Sequence, residues 1–332
     1  MVLKIREDIA ESLRNAGYGV YNHSAVEVCF WTKKAIRGEG TCYKNKFYGV
    51  DTHRCMQISL AAAWCTNRCI YCWRPNEKFM PGVDMLPEDA VDPPGEALEA
   101  LKELRKKLLS GFGGDPRVDK KIYQEALEPN HVTFSLSGEP LLYPKMVEAL
   151  RYLKDNWPVK SIFIVSNGLV PEAVERMKRA NEWPTQFYIS LTAPTPELYK
   201  KISRPLVKDY WERLMRTLDI LHDAPVRKVA RITLIKGWND VEEEKWAEIV
   251  ERMNPHFVEV KAYMYLGLSR KRLKEENMPD HAYVVEWAKK LSKYLPGYEY
   301  WKEDEPSRIA VLKNRKPGMD IDPIIRGPEP NV

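Results

Sequence analysis

The sequence predicts an α/β fold: a partial (β/α)6 barrel of six parallel strands, with a cysteine-bearing extension before it and a short extension after it. Two observations carry this. Short apolar runs alternate with helical patterns through the middle of the chain, and all six cysteines lie between Cys29 and Cys72, ahead of most of that alternation. Strand–helix alternation gives parallel strands joined by right-handed crossovers. Six units are too few to close an eight-stranded barrel. The chemistry of such a fold belongs at the carboxyl ends of its strands.

The elements follow in order. The opening residues MVLKIREDIAESLRNAGYG alternate charged and apolar residues at helical spacing, without the apolar core of an export signal. Strands are expected at 56–61, 131–136, 161–165, 186–191, 230–235 and 257–263. Helices are expected near 95–109, 144–156, 171–180, 207–222 and 241–252. In ALEALKELRKKLL the leucines recur as on a helix that covers a sheet. Asp240, ahead of VEEEKWAEIV, reads as an N-cap with glutamates in the first turn. A last helix and a hairpin with arms at 298–301 and 308–313 complete the chain. The expected division is 1–57 for the extension, 58–265 for the barrel and 266–332 for the C-terminal extension.

With 44% hydrophobic residues in 332, the chain can bury a full core. No stretch approaches the roughly 20 apolar residues of a membrane span. A soluble, cytoplasmic monomer is expected. The net charge of +5 permits a nucleic-acid partner without requiring one. Disulfides are disfavoured in that setting, so clustered thiols point to metal ligation.

Cys65-Thr-Asn-Arg-Cys69-Ile-Tyr-Cys72 follows the first expected barrel strand. Three thiolates hold three irons of a [4Fe–4S] cube and leave the fourth open to a ligand bearing adjacent amine and carboxylate. A zinc site is the plainer alternative, but no histidine lies within the triad or just after it to serve as fourth ligand. The spacing C-x3-C-x2-C, with aromatic Tyr71 before the last cysteine, is similar to the signature of the radical S-adenosylmethionine (SAM) superfamily. That resemblance implies a TIM-like radical SAM barrel. It implies SAM contacts from Ser137, Gly138 and Glu139 after the second strand, Ser166 and Asn167 after the third, and Ser190 and Thr192 on the fourth, besides Tyr71. Each of these segments also reads as an ordinary turn.

Cys29, Cys42 and Cys55 are spaced C-x12-C-x12-C. Three loops converging on a second [4Fe–4S] cluster is the preferred reading; zinc with His53 or His23 is the alternative. The pairing of the two triads resembles the stand-alone, archaeal-type tRNA 4-demethylwyosine synthase family. This implies condensation of N1-methylguanosine at position 37 of tRNA with pyruvate, with loss of the carboxyl carbon, to a tricyclic base. It also implies SAM, two clusters and an external electron donor. Pyruvate is activated by an open iron or by a lysine imine, with Lys44 and Lys46 beside Cys42 as candidates. Because Cys29, Cys42 and Cys55 precede the first barrel strand, they are expected to fold over the barrel mouth. For RNA, the basic stretch Arg270, Lys271 and Arg272 is the leading surface. Tyr43, Tyr48, Trp73 and Tyr265 are candidate stacking partners. A radical SAM enzyme acting on a peptide and a zinc-stabilised RNA-binding module are the rival readings.

Overall fold

A computed structural model of the chain describes residues 1–330. Its strands are β1 (Tyr18–Tyr21), β2 (Ser24–Glu27), β3 (Cys55–Ser59), β4 (Trp64–Cys65), β5 (Met80–Pro81), β6 (His131–Phe134), β7 (Ser161–Ser166), β8 (Gln186–Leu191), β9 (Arg227–Leu234), β10 (Phe257–Ala262), β11 (Tyr298–Asp304) and β12 (Ile309–Asn314). The helices are α1 (Glu7–Asn15), α2 (Phe30–Ile36), α3 (Tyr43–Tyr48), α4 (Pro94–Leu109), α5 (Lys120–Leu127), α6 (Met146–Asn156), α7 (Pro171–Ala180), α8 (Pro196–Ser203), α9 (Tyr210–His222), α10 (Glu243–Met253) and α11 (His281–Ser292).

One ten-stranded sheet runs β1-β2-β3-β6-β7-β8-β9-β10-β12-β11. The six strands from β3 to β10 in that order are parallel, and antiparallel hairpins extend both edges. This is the partial (β/α)6 barrel the sequence predicts. The hairpin β1–β2 and the short helices α2, α3, α5 and α8 were not anticipated; each is too short to show a period of its own.

Helices cover the outer face because they carry apolar stripes. On α6 the buried residues are Met146, Ala149, Leu150 and Leu153, at helical spacing. α7 opens on Pro171 and stops at Asn181 in the left-handed conformation, as proline's missing donor and asparagine's tolerance of positive φ favour. The strands are buried on both faces. Ile162, Ile164, Phe187, Ile189, Ala230 and Ile232 pack outward in the main core, while Phe163, Tyr188, Val229 and Phe257 point into the lumen.

The lumen is filled from the N-terminal extension, because Tyr43, Phe47 and Tyr48 of α3 pack against those four inward residues. The extension therefore enters the barrel instead of folding over its mouth. Cys55 is itself the first residue of β3, at the end of the strand away from Cys65. A second correction concerns Asp240. Glu242, with φ 56° and no side-chain cap, precedes α10. Asp240 instead accepts the Gly237 amide at 2.9 Å and the Tyr283 hydroxyl at 2.5 Å, closing the turn out of β9. Among the described residues, no helix is long and apolar enough to cross a membrane.

Candidate active site: two thiol triads in one barrel

The upper triad lies on a loop that leaves β4. Its backbone is tied to the end of α8: Arg68 N donates to Ser203 O at 2.9 Å and Ile70 N to Ile202 O at 2.8 Å. Arg68 threads back through the loop, donating to Cys65 O at 3.3 Å and Phe79 O at 2.6 Å. Asn76 Nδ2 holds Cys69 O at 3.0 Å. Tyr199 joins from α8, its hydroxyl accepting from Asn67 Nδ2 at 2.9 Å.

Burial pushes all three thiols up, and repulsion from Cys72 adds to it at Cys69, which reaches about 12. Cys65 rises for the same reasons, with Cys69 and Cys72 both contributing. Three crowded thiols with raised pKa need a positively charged iron centre to become thiolates. Among the described residues no three His, Cys, Asp or Glu side chains stand close enough to hold a single metal ion. One zinc at about 2.3 Å from each sulfur would require thiolates about 3.8 Å apart. Three cysteine thiolates are instead the donor set of a [4Fe–4S] cube with one iron left open.

Beside this loop lies the turn after β6. Gly138 has φ +72°, and a Cβ there would meet Ala61 O at 2.1 Å and Trp64 O at 2.4 Å, so only glycine fits. Ser137 Oγ donates to Ala62 O at 2.6 Å. Glu139 is buried; its carboxylate accepts Asn167 N at 2.8 Å and Leu141 N at 3.1 Å. Burial still outweighs these bonds and raises it to about 7. Asn167 Nδ2 donates to Thr66 Oγ1 at 2.7 Å, and Ser166 Oγ accepts Gly168 N at 2.9 Å. The structure thus brings Cys65, Glu139, Ser166 and Asn167 together. Ser190 is half-buried on β8, in register with Arg231. Thr192 differs from expectation: it is buried, with its hydroxyl bonded to Ser203 Oγ at 2.7 Å, bracing α8. Burial and Cys69 push the Tyr71 hydroxyl far up.

The lower triad is assembled from three elements. Cys29 caps α2, accepting Thr32 N at 3.4 Å; Cys42 caps α3; Cys55 opens β3. A threonine pair ties them, with Thr52 Oγ1 accepting Cys42 N at 3.3 Å and Thr52 O accepting Thr32 Oγ1 at 3.2 Å. Burial raises Cys55 to about 12, with Cys29 and Cys42 adding to it. Neither histidine considered as a zinc ligand faces this group. His23 is bonded to Leu60 O and to Asp92 N, and His53 to Glu125 at 2.8 Å.

Lys44 points into the lumen, its amine 4.9 Å from the Phe163 ring centroid and 5.5 Å from that of Tyr188. Burial, then Arg231, lowers its pKa. Lys46 turns the other way, to an ion pair with Asp304, and is half-exposed. Beneath Lys44, fully buried Glu259 accepts from Arg231 Nη2 at 2.8 Å, Tyr43 at 3.0 Å and Tyr48 at 2.8 Å. Tyr43 and Tyr48 are therefore core residues, not surfaces for stacking bases. Lys261, pushed down to about 8 by burial and Arg231, donates to Ser307 O at 2.6 Å.

The basic stretch after β10 also differs from expectation. Gly267 packs on Trp73, where a Cβ would lie 2.3 Å from Trp73 O, and Leu268 N donates to that carbonyl at 3.0 Å. This docking turns Arg272 inward, to Ile70 O at 3.0 Å, Asn76 Oδ1 at 2.9 Å and Cys72 O. Arg272 grips the cluster loop and is not free for phosphate. Arg270 and Lys271 remain exposed, Arg270 over the Tyr265 ring, and Trp73 is 45% exposed. Nothing in the sequence signalled the roles of Arg272, Asn76 or Tyr199, which contact the loop only through the fold.

A partial parallel barrel with a three-cysteine loop and a glycine–glutamate turn at its carboxyl end defines a radical SAM enzyme, using SAM and a [4Fe–4S] cluster. The radical SAM superfamily profile matches residues 127–250, and a profile for wyosine base formation matches 252–314. The chain is 44% identical over 319 residues to the S-adenosyl-L-methionine-dependent tRNA 4-demethylwyosine synthase of Pyrococcus abyssi, covering 96% of this chain and 90% of that one. It is 39% identical to that of Methanocaldococcus jannaschii, covering 93% and 97%. A solved structure of TYW1 with a lysine-pyruvate adduct bound superposes with a TM-score of 0.83 at 38% identity, over 94% of this chain and 97% of that one. A crystal structure of archaeal TYW1 gives 0.78 at 34%, over 97% and 100%. The chain belongs to the tRNA 4-demethylwyosine synthase family.

Proposed function

We propose that this enzyme condenses N1-methylguanosine at position 37 of tRNA with pyruvate to form 4-demethylwyosine, with the upper triad serving radical generation and the lower triad and Lys44 serving pyruvate. Family membership carries the reaction and sets aside the peptide-modifying and zinc-module readings. When bound, SAM and the upper cluster supply an adenosyl radical that takes a hydrogen from the N1-methyl group, given an electron from an external donor. Cys65, Cys69 and Cys72 hold that cluster. Glu139 faces the SAM ammonium and balances its charge, while Ser166 and Asn167 orient the nucleoside end.

Below, Cys29, Cys42 and Cys55 hold a second [4Fe–4S] cluster. The Lys44 amine attacks the pyruvate ketone; a C–N bond forms and the oxygen leaves as water, giving an imine that fixes the acceptor carbon in the lumen. Lys44 is preferred to Lys46 because its amine is buried beside the lower thiols, whereas Lys46 is tied to Asp304. The lysine–pyruvate adduct in the related TYW1 structure supports the same choice. In this reading 1–57 delivers the lower site, 58–265 forms the barrel and 266–332 closes it, and the enzyme acts as a monomer.

The test is nucleoside mass spectrometry after reconstituted enzyme meets SAM, pyruvate, reductant and tRNA carrying N1-methylguanosine. The tricyclic base should appear only when all are present. Cyanoborohydride with pyruvate should add a reduced adduct mapped to Lys44, absent in Lys44→Ala and retained in Lys46→Ala. An adduct on another lysine overturns the assignment of Lys44.

A further inference from the structure

Buried polar side-chain atoms in folded proteins almost always have a partner, so one left alone marks a place where something else binds. The lower chamber holds such an atom. His131 opens β6 and is 1% exposed. Its Nδ1 lies 2.6 Å from Ser161 Oγ, and its Nε2 has no partner among the described residues. Three relations place the ring. It pairs in register with Cys55 across β3 and β6. It meets Phe163 edge-on, centroids 4.5 Å apart. That same Phe163 ring carries the Lys44 amine. His131, Cys55 and Lys44 therefore border one small space, and no step described above uses the imidazole.

We propose that His131 binds the 2-oxo acid directly, its Nε2–H donating to a carboxylate oxygen while Lys44 captures the ketone carbon. This rests on the reading of Lys44 as the imine-forming amine. With the Ser161 hydroxyl, which has no other side-chain partner among the described residues, assigned as the donor to Nδ1, the ring proton lies on Nε2. An anion suits the space, because Lys44 and Lys261 both approach Cys42 and Arg231 approaches both amines. In a 2-oxo acid the carboxylate is bonded to the ketone carbon. Two donors gathered at one aromatic ring therefore engage its two ends at once, orienting the acceptor as well as holding it.

The experiment measures the pyruvate concentration that gives half-maximal cyanoborohydride trapping on Lys44, in cluster-loaded wild type, His131→Leu, His131→Gln and Ser161→Ala. Loss of a hydrogen bond to a carboxylate should raise this concentration at least about tenfold in His131→Leu. His131→Gln, which keeps an N–H near the Nε2 position, should restore most of it. Ser161→Ala, which only frees the ring proton, should shift it in the same direction by less. Iron content and the EPR spectrum before pyruvate is added should match wild type in all three variants. Unchanged half-trapping in both His131→Leu and Ser161→Ala overturns the proposal, with Ser161→Ala deciding if His131→Leu does not fold. An EPR change before pyruvate is added also overturns it, because it makes the imidazole an iron ligand. If wild type traps no adduct on Lys44, the parent reading fails and this one with it; if only the variants behave like wild type, this inference alone falls.

Discussion

The upper thiol triad sits within one short loop, Cys65 to Cys72, whereas the lower one gathers Cys29, Cys42 and Cys55 from two helix starts and a strand start. The upper loop carries its ligands close together by sequence and needs the fold only to brace it, through Arg68, Asn76 and Arg272. The lower thiols become neighbours only when α3 inserts into the lumen and the Thr32–Thr52 strap closes. A local site is vulnerable at its ligands. A distributed one depends on packing, and here that packing is ample, since Tyr43, Phe47 and Tyr48 are buried among strand residues.

The sharpest way to break this comparison is to remove one thiol from each triad. Cys69→Ala should abolish 5′-deoxyadenosine formation from SAM in reduced protein, because two thiolates do not retain the cube. Cys42→Ala should stay folded and still cleave SAM, yet form no tricyclic base. Loss of fold and SAM cleavage together in Cys42→Ala would make the lower triad a structural clamp.

Next in size is Gly138→Ala. The left-handed backbone alone costs about 1–3 kcal/mol for a non-glycine residue, and the added Cβ collides with two carbonyls that cannot move without the cluster loop. SAM binding to reconstituted protein should be lost. Retained affinity would remove this turn from the SAM site.

A smaller effect follows from Glu139, whose carboxyl is raised by burial to about 7. A raised carboxyl favours its protonated form in the fold. The stability it contributes is therefore present below the ordinary carboxylate range and lost as pH climbs toward 7. The SAM ammonium favours the charged form, so SAM affinity should rise with pH through the same window, by at most about tenfold per unit, and then level off. Titration calorimetry across that range checks it, and Glu139→Gln should flatten the profile. An affinity that falls with rising pH would place the ammonium elsewhere.

The smallest effect separates neighbours on the basic stretch. Neutralising Arg270 and Lys271 should weaken tRNA binding and reduce its salt dependence by roughly one slope unit per lost phosphate contact. Arg272→Met should leave tRNA affinity unchanged and instead speed loss of iron from the upper cluster, because it releases Cys72 O and Ile70 O. Equal losses of tRNA affinity in both variants would return Arg272 to the RNA surface.

The sequence by itself determined the parallel barrel, the family and the three-cysteine loop that marks its superfamily. It could do so because strand–helix alternation, the C-x3-C-x2-C spacing and the glycine–glutamate turn are local patterns, each written in neighbouring residues. Only the tertiary structure decided the rest. Lys44 and Lys46 are two residues apart and alike in sequence; the turn of α3 sends one into the lumen and the other to Asp304. Arg272 looked like its exposed neighbours until Gly267 docked on Trp73 and turned it toward the cluster loop. His131 was only the first residue of an expected strand, and its register against Cys55 gave it a site to face. Contacts across such long stretches of chain leave no periodic trace, because they are set by how elements pack and not by the residues beside them.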